Sequence, residues 1–259
     1  VRKISSVTVA GDFDYEHRGA GYAVQRRQDP SIAAMVRQAF GGVRTIVNVG
    51  AGAGSYEPDD LDVTAVEPSA SMRSQRPSDR RPAINAVAEA LPFADGAFEG
   101  ALASITVHQW RNQDLGLREL RRVSSGPIVI LTFDGSALER FWLADYAPQL
   151  IAAERRRYPS IEHICEILGG TSTVTGVPIP VDCPDGFTEA FYARPEQFLD
   201  PAVRESQSAW GFVTPHDEQQ AVESLAGDLE TGTWDRRYGS LRSQSTFVGS
   251  LRLIVAQPD

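Results

Sequence analysis

The chain has 259 residues and a formal net charge of −9, with 42% hydrophobic and 23% charged residues. That is the make-up of a globular chain able to bury a sizeable core. It lacks the basic stripe of a nucleic-acid binder: Arg80-Arg81, Arg121-Arg122 and Arg155-Arg156-Arg157 are short runs scattered among acids. No apolar run is long enough for a membrane span. Residues 1–10 have no signal-peptide pattern, so a cytoplasmic protein is expected. Cys165 and Cys183 form no CxxC pair and read as reduced thiols. No cluster of residues suggests a metal.

In chain order, Asp29 caps a helix over Pro30–Phe40, with proline in the first turn and Gly41 at the end. Five short apolar runs then read as buried strands: Thr45–Val49, Val63–Glu67, Ala83–Val87, Ala101–Thr106 and Ile128–Phe133. A helix over Asp114–Val123 separates the last two. Alternating strand and helix signals predict an α/β fold. Further on, Ser136 and Glu139 resemble a capping box. Ser160, Asp200-Pro201 and Thr214-Pro215 mark helix starts. Val174–Ile179 and Leu251–Val255 are the sixth and seventh strand candidates, flanking a helical insertion around residues 181–240.

Residues 46–54 read Ile-Val-Asn-Val-Gly-Ala-Gly-Ala-Gly. A strand running into Gly50, Gly52 and Gly54 makes a tight turn that lets a ligand approach the backbone, at the end of a strand where open α/β sheets bind ligands. The spacing is GxGxG, not the GxGxxG of dinucleotide folds, and no GK[ST] follows. The next strand ends in Glu67, a carboxylate placed to accept from both ribose hydroxyls. The acid one strand after the loop favours adenosine binding over a plain turn. Only eight residues separate Gly54 from Val63, short for a parallel crossover, and Pro58 limits any helix there.

With these residues the sequence resembles the class I S-adenosylmethionine (SAM)-dependent methyltransferases, and within them the ubiquinone/menaquinone-biosynthesis (type 11) group, over residues 13–134. Val47–Gly54 resembles the first motif, with Asn48 in place of the frequent acid and Gly50, Ala51, Gly52 and Gly54 around the methionine end of the cofactor. Glu67-Pro68-Ser69-Ala70-Ser71-Met72 resembles the second, with Glu67 on the ribose and Met72 against the adenine. Ala88-Glu89-Ala90-Leu91-Pro92-Phe93, with Asp95 and Phe98, resembles a third, placing Ala88 and Glu89 at the adenine; Val87 stands where an Asp is frequent. Ser104–Trp110 resembles the segment after the fourth strand, with Gln109 where a second His is common. Tyr15, Tyr22 and Arg26 resemble an N-terminal lid, with Arg26 pairing with the cofactor's carboxylate.

The resemblance implies a Rossmann-like, seven-stranded, mostly parallel sheet with helices on both faces, an N-terminal helical lid and the C-terminal helical insertion. It makes one domain over 1–259: lid and helix at 1–42, cofactor core at 43–134, substrate-side elements at 135–259. SAM is the implied cofactor, S-adenosylhomocysteine the product, and a small molecule the acceptor, with a natural-product tailoring step as the expected role. His108 is the candidate base. His108, Tyr15, Trp110, Asp134, Phe141 and Tyr192 are the candidate acceptor contacts; Trp142, Tyr146, Phe187 and Phe191 are read either as an apolar pocket or as core. Two alternatives remain at this level: a SAM-binding protein without transferase activity, and a nicotinamide-dependent oxidoreductase, which the GxGxG spacing disfavours. The acceptor atom and the oligomeric state are not legible.

Overall fold

The computed structural model describes residues 26–259; the expected lid residues Tyr15 and Tyr22 lie outside them. Helix α1, Pro30–Ala39, starts where Asp29 Oδ1 accepts from the Ser31 and Ile32 amides. Strands β1 (Thr45–Val49) and β2 (Asp62–Val66) pair in parallel. Between them, residues 50–61 form turns with no helix, as the glycine run and Pro58 require. Ser69 then caps the short helix α2, Ala70–Ser74, its Oγ accepting from the Met72 amide at 3.1 Å.

Strand β3 (Gly100–Ser104) pairs with β1, and β4 (Ile128–Phe133) with β3, both in parallel. Helix α3, Gln113–Val123, joins them and is capped by Asn112. Beyond β4 come α4 (Pro148–Arg157), α5 (Ile161–Leu168, capped by Ser160) and β5 (Thr171–Gly176). Next are the two-residue β6 (Ile179–Pro180), then α6 (Pro201–Glu205, capped by Asp200) and α7 (Pro215–Glu230, capped by Thr214). Helix α8 (Thr233–Tyr238), β7 (Thr246–Phe247) and β8 (Leu251–Gln257) close the chain.

The main sheet runs β2-β1-β3-β4-β8-β5, with β8 antiparallel to both its neighbours; β6 and β7 form a separate two-stranded ribbon. The expectation of a mostly parallel α/β sheet holds, with six strands where seven were expected. The run Ala83–Val87 contributes a single bridge, Ile84 to Val66. Its backbone bonds stop at Ile84 N to Ala65 O and Glu67 N to Ile84 O, and the chain then turns, Ala86 N donating back to Ile84 O. Val174–Ile179 is also divided: Gly176 ends β5, and Pro178, which has no amide to donate, separates it from β6. The expected capping box at Ser136 is replaced by Asp134, whose Oδ1 accepts from both the Ser136 amide and hydroxyl, while Glu139 pairs with Arg155.

Strand alternation sorts the core onto the two faces of the sheet. Val47, Val49, Ala101, Ala103, Ile128, Ile130, Ile254 and Ala256 pack against α3 and α5. Ile46, Leu102, Val129, Leu131, Phe133, Leu251 and Leu253 pack against α1 and the long C-terminal half. This second face holds the aromatic cluster of Trp142, Phe198, Trp234 and Tyr238. The carboxyl ends of β1, β2, β3 and β4 therefore open on one rim, between the two layers.

Candidate functional site

The glycine loop sits on this rim. Gly50 and Ala51 both donate to Val66 O, at 2.9 and 3.0 Å, which ties the end of β1 to the end of β2. Gly50, Gly52 and Gly54 have φ of 72°, 52° and 98°, a region open to glycine at little cost. A Cβ on Gly50 would fall 2.0 Å from Thr106 Oγ1. Glu67 follows β2. Its Oε2 accepts from the Gly52 amide at 2.9 Å and its Oε1 from the Ser69 amide at 2.8 Å. Burial pushes its pKa up, and the two amides oppose that shift. A carboxylate has about four lone-pair sites, so two further hydrogen bonds can still be accepted.

These groups line a cavity of about 580 Å³, within the range of small-molecule and cofactor sites. Arg26, Asn48, Gly50, Ala51, Gly52, Glu67, Pro68, Ser69, Met72, Ala88, Glu89 and Ser104, all expected from the sequence to meet the cofactor, line it together. Gly54 does not: it covers the side chains of Arg76, Arg80 and Glu57. Trp110, expected at the acceptor, lies in this larger cavity instead, because the chain turns over Val107–Gln109 and Trp110 stacks close above Gly116 of α3. Glu89 Oε1 is occupied by the Asn112 amide at 3.0 Å, so it also fixes the start of α3. Arg26 Nε is held by Asp185 Oδ1 at 2.5 Å, and Tyr56 donates to the other oxygen of Asp185 at 2.7 Å. Among the buried side-chain atoms without a protein partner, Asn48 Oδ1 and Ser104 Oγ belong to residues lining this cavity. Buried polar atoms left without a partner cost free energy, and a polar ligand in the cavity would remove that cost.

A second cavity, of about 40 Å³, adjoins the first; Arg26, Ile105 and Gln109 line both. Ile105 has φ of 49°, a strained geometry for a β-branched residue. It directs the chain from β3 so that Ser104 and Thr106 line the larger space and His108 the smaller. His108 is buried, its ring centroid is 4.4 Å from that of Tyr158, and its Nδ1 has no partner. Burial, with Arg157 and Arg26 adding to it, pulls its pKa well below the usual imidazole value, so the ring is neutral. The remaining walls mix apolar side chains, among them Phe133, Leu138, Leu150, Ile151 and Phe187, with the polar residues Glu154, Thr188, Glu189, Gln207 and Ser208.

Three expected acceptor contacts lie elsewhere. Asp134 caps a turn and faces Arg252. Phe141 is core between Trp142 and Phe247. Tyr192 stacks on Phe247 and donates to Gln244 O at 2.7 Å. Residues that the sequence left unremarked complete the site: Tyr56, Ile105, Thr106, Glu57 and Arg76. Their signal is weak, since each reaches the site through a turn or a long-range ion pair, and periodicity does not report either.

An open α/β sheet with a glycine loop on β1 and a carboxylate after β2 defines a nucleoside-cofactor protein. Residues 47–130 match the family described as "Methyltransferase domain". Those residues carry the methyltransferase domain that the motifs resemble, and in this the chain is similar to the class I SAM-dependent methyltransferases of the type 11 group. Among solved structures, it is similar to a protein from Anabaena variabilis described as a methyltransferase from an antibiotic biosynthesis pathway, with 27% identity over 88% of this chain and 97% of that one and a TM-score of 0.79. The YcgJ protein of Bacillus subtilis is 15% identical over 88% of this chain and 97% of that one, TM-score 0.53. A Bacillus halodurans protein described as a methyltransferase is 14% identical over 87% and 97%, TM-score 0.53. These last two share the fold. No curated protein matches the sequence. Among the described residues no helix is long and apolar enough to cross a membrane.

Proposed function

We propose that this protein transfers a methyl group from SAM to a small molecule, as a tailoring step on a natural product. The observation that carries this reading is the pair of cavities meeting at Arg26, Ile105 and Gln109. The larger would hold SAM, with Glu67 on the ribose, Met72 and Val87 against the adenine, and the glycine loop along the methionine end. The unpartnered Asn48 Oδ1, an acceptor, and Ser104 Oγ, which can donate and accept, fit a polar cofactor that brings donors of its own. The smaller cavity would receive the reacting end of the acceptor. The antibiotic pathway attributed to the Anabaena relative supports the tailoring role.

SAM supplies an electrophilic methyl group on a sulfonium. The chain's part is to align a nucleophile with it and to exclude water. The apolar part of the smaller cavity's lining, Phe133, Leu138, Leu150, Ile151 and Phe187, would do the second. For an acceptor hydroxyl, His108 Nδ1 would accept its hydrogen bond and take its proton as the methyl group is transferred. A neutral, poorly basic imidazole suits that task because it enters the reaction unprotonated. Calorimetric titration with SAM, with NAD as a matched control, tests the cofactor assignment. Saturable binding of SAM alone is expected; binding of NAD, or none of SAM, overturns it.

A further inference from the structure

The first motif departs from its family in carrying Asn48, and the crossover behind it has no helix to hold the glycine loop. Both departures meet in one buried cluster. Asn48 Nδ2 donates to Glu57 Oε1 at 2.9 Å. Glu57 comes from the turn that replaces the helix, and it is clamped by Arg76, whose Nη1 and Nη2 each donate at 2.9 Å to one of its oxygens. Arg80 Nη1 adds a third donor at 3.1 Å. The side chains of Glu57 and Arg76 are 2% and 4% exposed, so the pair works in a medium where charge-assisted bonds are strong. Gly54 packs directly over it.

The consequence for Asn48 is directional. An amide has one donor end and one acceptor end. Glu57 takes the donor end, so the acceptor end, Oδ1, is the one left without a protein partner. Asn48 lines the cofactor cavity next to the end of β3, where Ser104 Oγ is likewise unpartnered. Asn48 Oδ1 can only accept, and the Ser104 hydroxyl can accept as well as donate, so this wall of the cavity suits a donor-rich cation.

We infer that Glu57 and Arg76 are positioning residues, which act through Asn48 to present its Oδ1 to the ammonium group of the methionine end of the cofactor. This rests on the larger cavity binding SAM, as proposed above. The pair replaces the missing helix as the support of the loop and sets the polarity of the amide.

The test compares two unreactive ligands. S-adenosylhomocysteine carries the ammonium; 5′-methylthioadenosine has the same nucleoside and thioether without it. Calorimetry with the full chain measures both. Asn48→Leu leaves the Glu57–Arg76 pair intact, so it should fold. Glu57→Leu with Arg76→Leu removes both charges together, which avoids a lone buried ion. In each variant S-adenosylhomocysteine should bind about tenfold or more weaker, the scale of a hydrogen bond to a charged group, while 5′-methylthioadenosine changes less than about twofold. Equal weakening of both ligands would mean that the cluster only shapes the loop, and unchanged binding of both would mean that it has no part in the site; either overturns the inference. If the double variant does not fold, Asn48→Leu still decides on Oδ1, and Glu57→Gln decides on the pair: weaker S-adenosylhomocysteine binding alone supports it, and any other result overturns it. Failure of the native protein to bind S-adenosylhomocysteine would instead overturn the cofactor assignment itself.

Discussion

At the scale of single residues, the site depends on where a side chain is forbidden and where a charge is withheld. Gly50 combines a positive φ with a Cβ position 2.0 Å from Thr106 Oγ1. Gly50→Ala should therefore displace the turn after β3 that Thr106 begins and abolish measurable SAM binding; calorimetry that returns native affinity would contradict the loop geometry. His108 is a case of withheld charge. Burial holds its folded pKa well below the ordinary value of 6.5, so protonation on acidification is delayed. The acid limb of kcat should then lie below pH 6.5, and His108→Ala should cut kcat by about a hundredfold, the scale of general-base catalysis, with little change in SAM affinity. An acid limb at or above the usual imidazole range would remove His108 from that role. Glycine spacing and the acid after β2 are visible in the sequence because a tight turn and a strand end are set by residues next to one another in the chain. The orphaned Nδ1 of His108 is not, because it results from Tyr158 and the other walls closing around it.

At the scale of elements, strands and helix caps follow the sequence closely where the cause is local. Thr45–Val49 and Ile128–Phe133 are strands to the residue, and Asp29, Ser160, Asp200 and Thr214 cap the helices they precede. Local signals mislead at Ala83–Val87, where an apolar run makes one bridge and then bends so that Asn85, Val87 and Ala88 line the larger cavity. Lining the site there takes precedence over extending the sheet. Long-range staples are also invisible in sequence. Arg121 looks like a solvated charge, yet its guanidinium donates to Leu168 O, Gly126 O and Ala256 O at 3.0–3.1 Å. It ties the end of α5, the approach to β4 and the last strand to α3. Arg121→Met should lower unfolding free energy by about 2 kcal/mol, the scale of hydrogen bonds to a charged donor, as read from urea denaturation; an unchanged midpoint would mean that these carbonyls are equally well satisfied by water.

At the scale of the whole molecule, the C-terminal half closes over the sheet and buries Glu189, whose two oxygens both accept from the Ser250 amide at 2.9 Å. Burial is the main cause raising its pKa from 4.5 to about 7, against the opposing pull of that hydrogen bond. Between those two values the folded state binds more protons than the unfolded one, so this group's contribution to stability is full below pH 4.5 and is lost as pH rises through 7. Glu189→Gln should accordingly raise Tm at pH 8, and its advantage should shrink as pH falls toward 4.5. A gain independent of pH would assign the effect to packing instead.

The sequence by itself determined the α/β class, the strand that carries the glycine loop, the carboxylate after the second strand and most of the helix caps. Each of these depends on periodicity, backbone freedom or a hydrogen bond to a near neighbour in the chain. Only the tertiary structure decided which aromatic residues meet a cavity. Of the acceptor-side aromatics, Phe187 lines the smaller cavity while Phe141 and Tyr192 belong to the core, because an apolar side chain has the same sequence signature in a wall as in a core. It also decided that Asn48, Glu57 and Arg76 form one unit. Their pairing spans turns whose path is set by packing, and no local pattern in the chain encodes it.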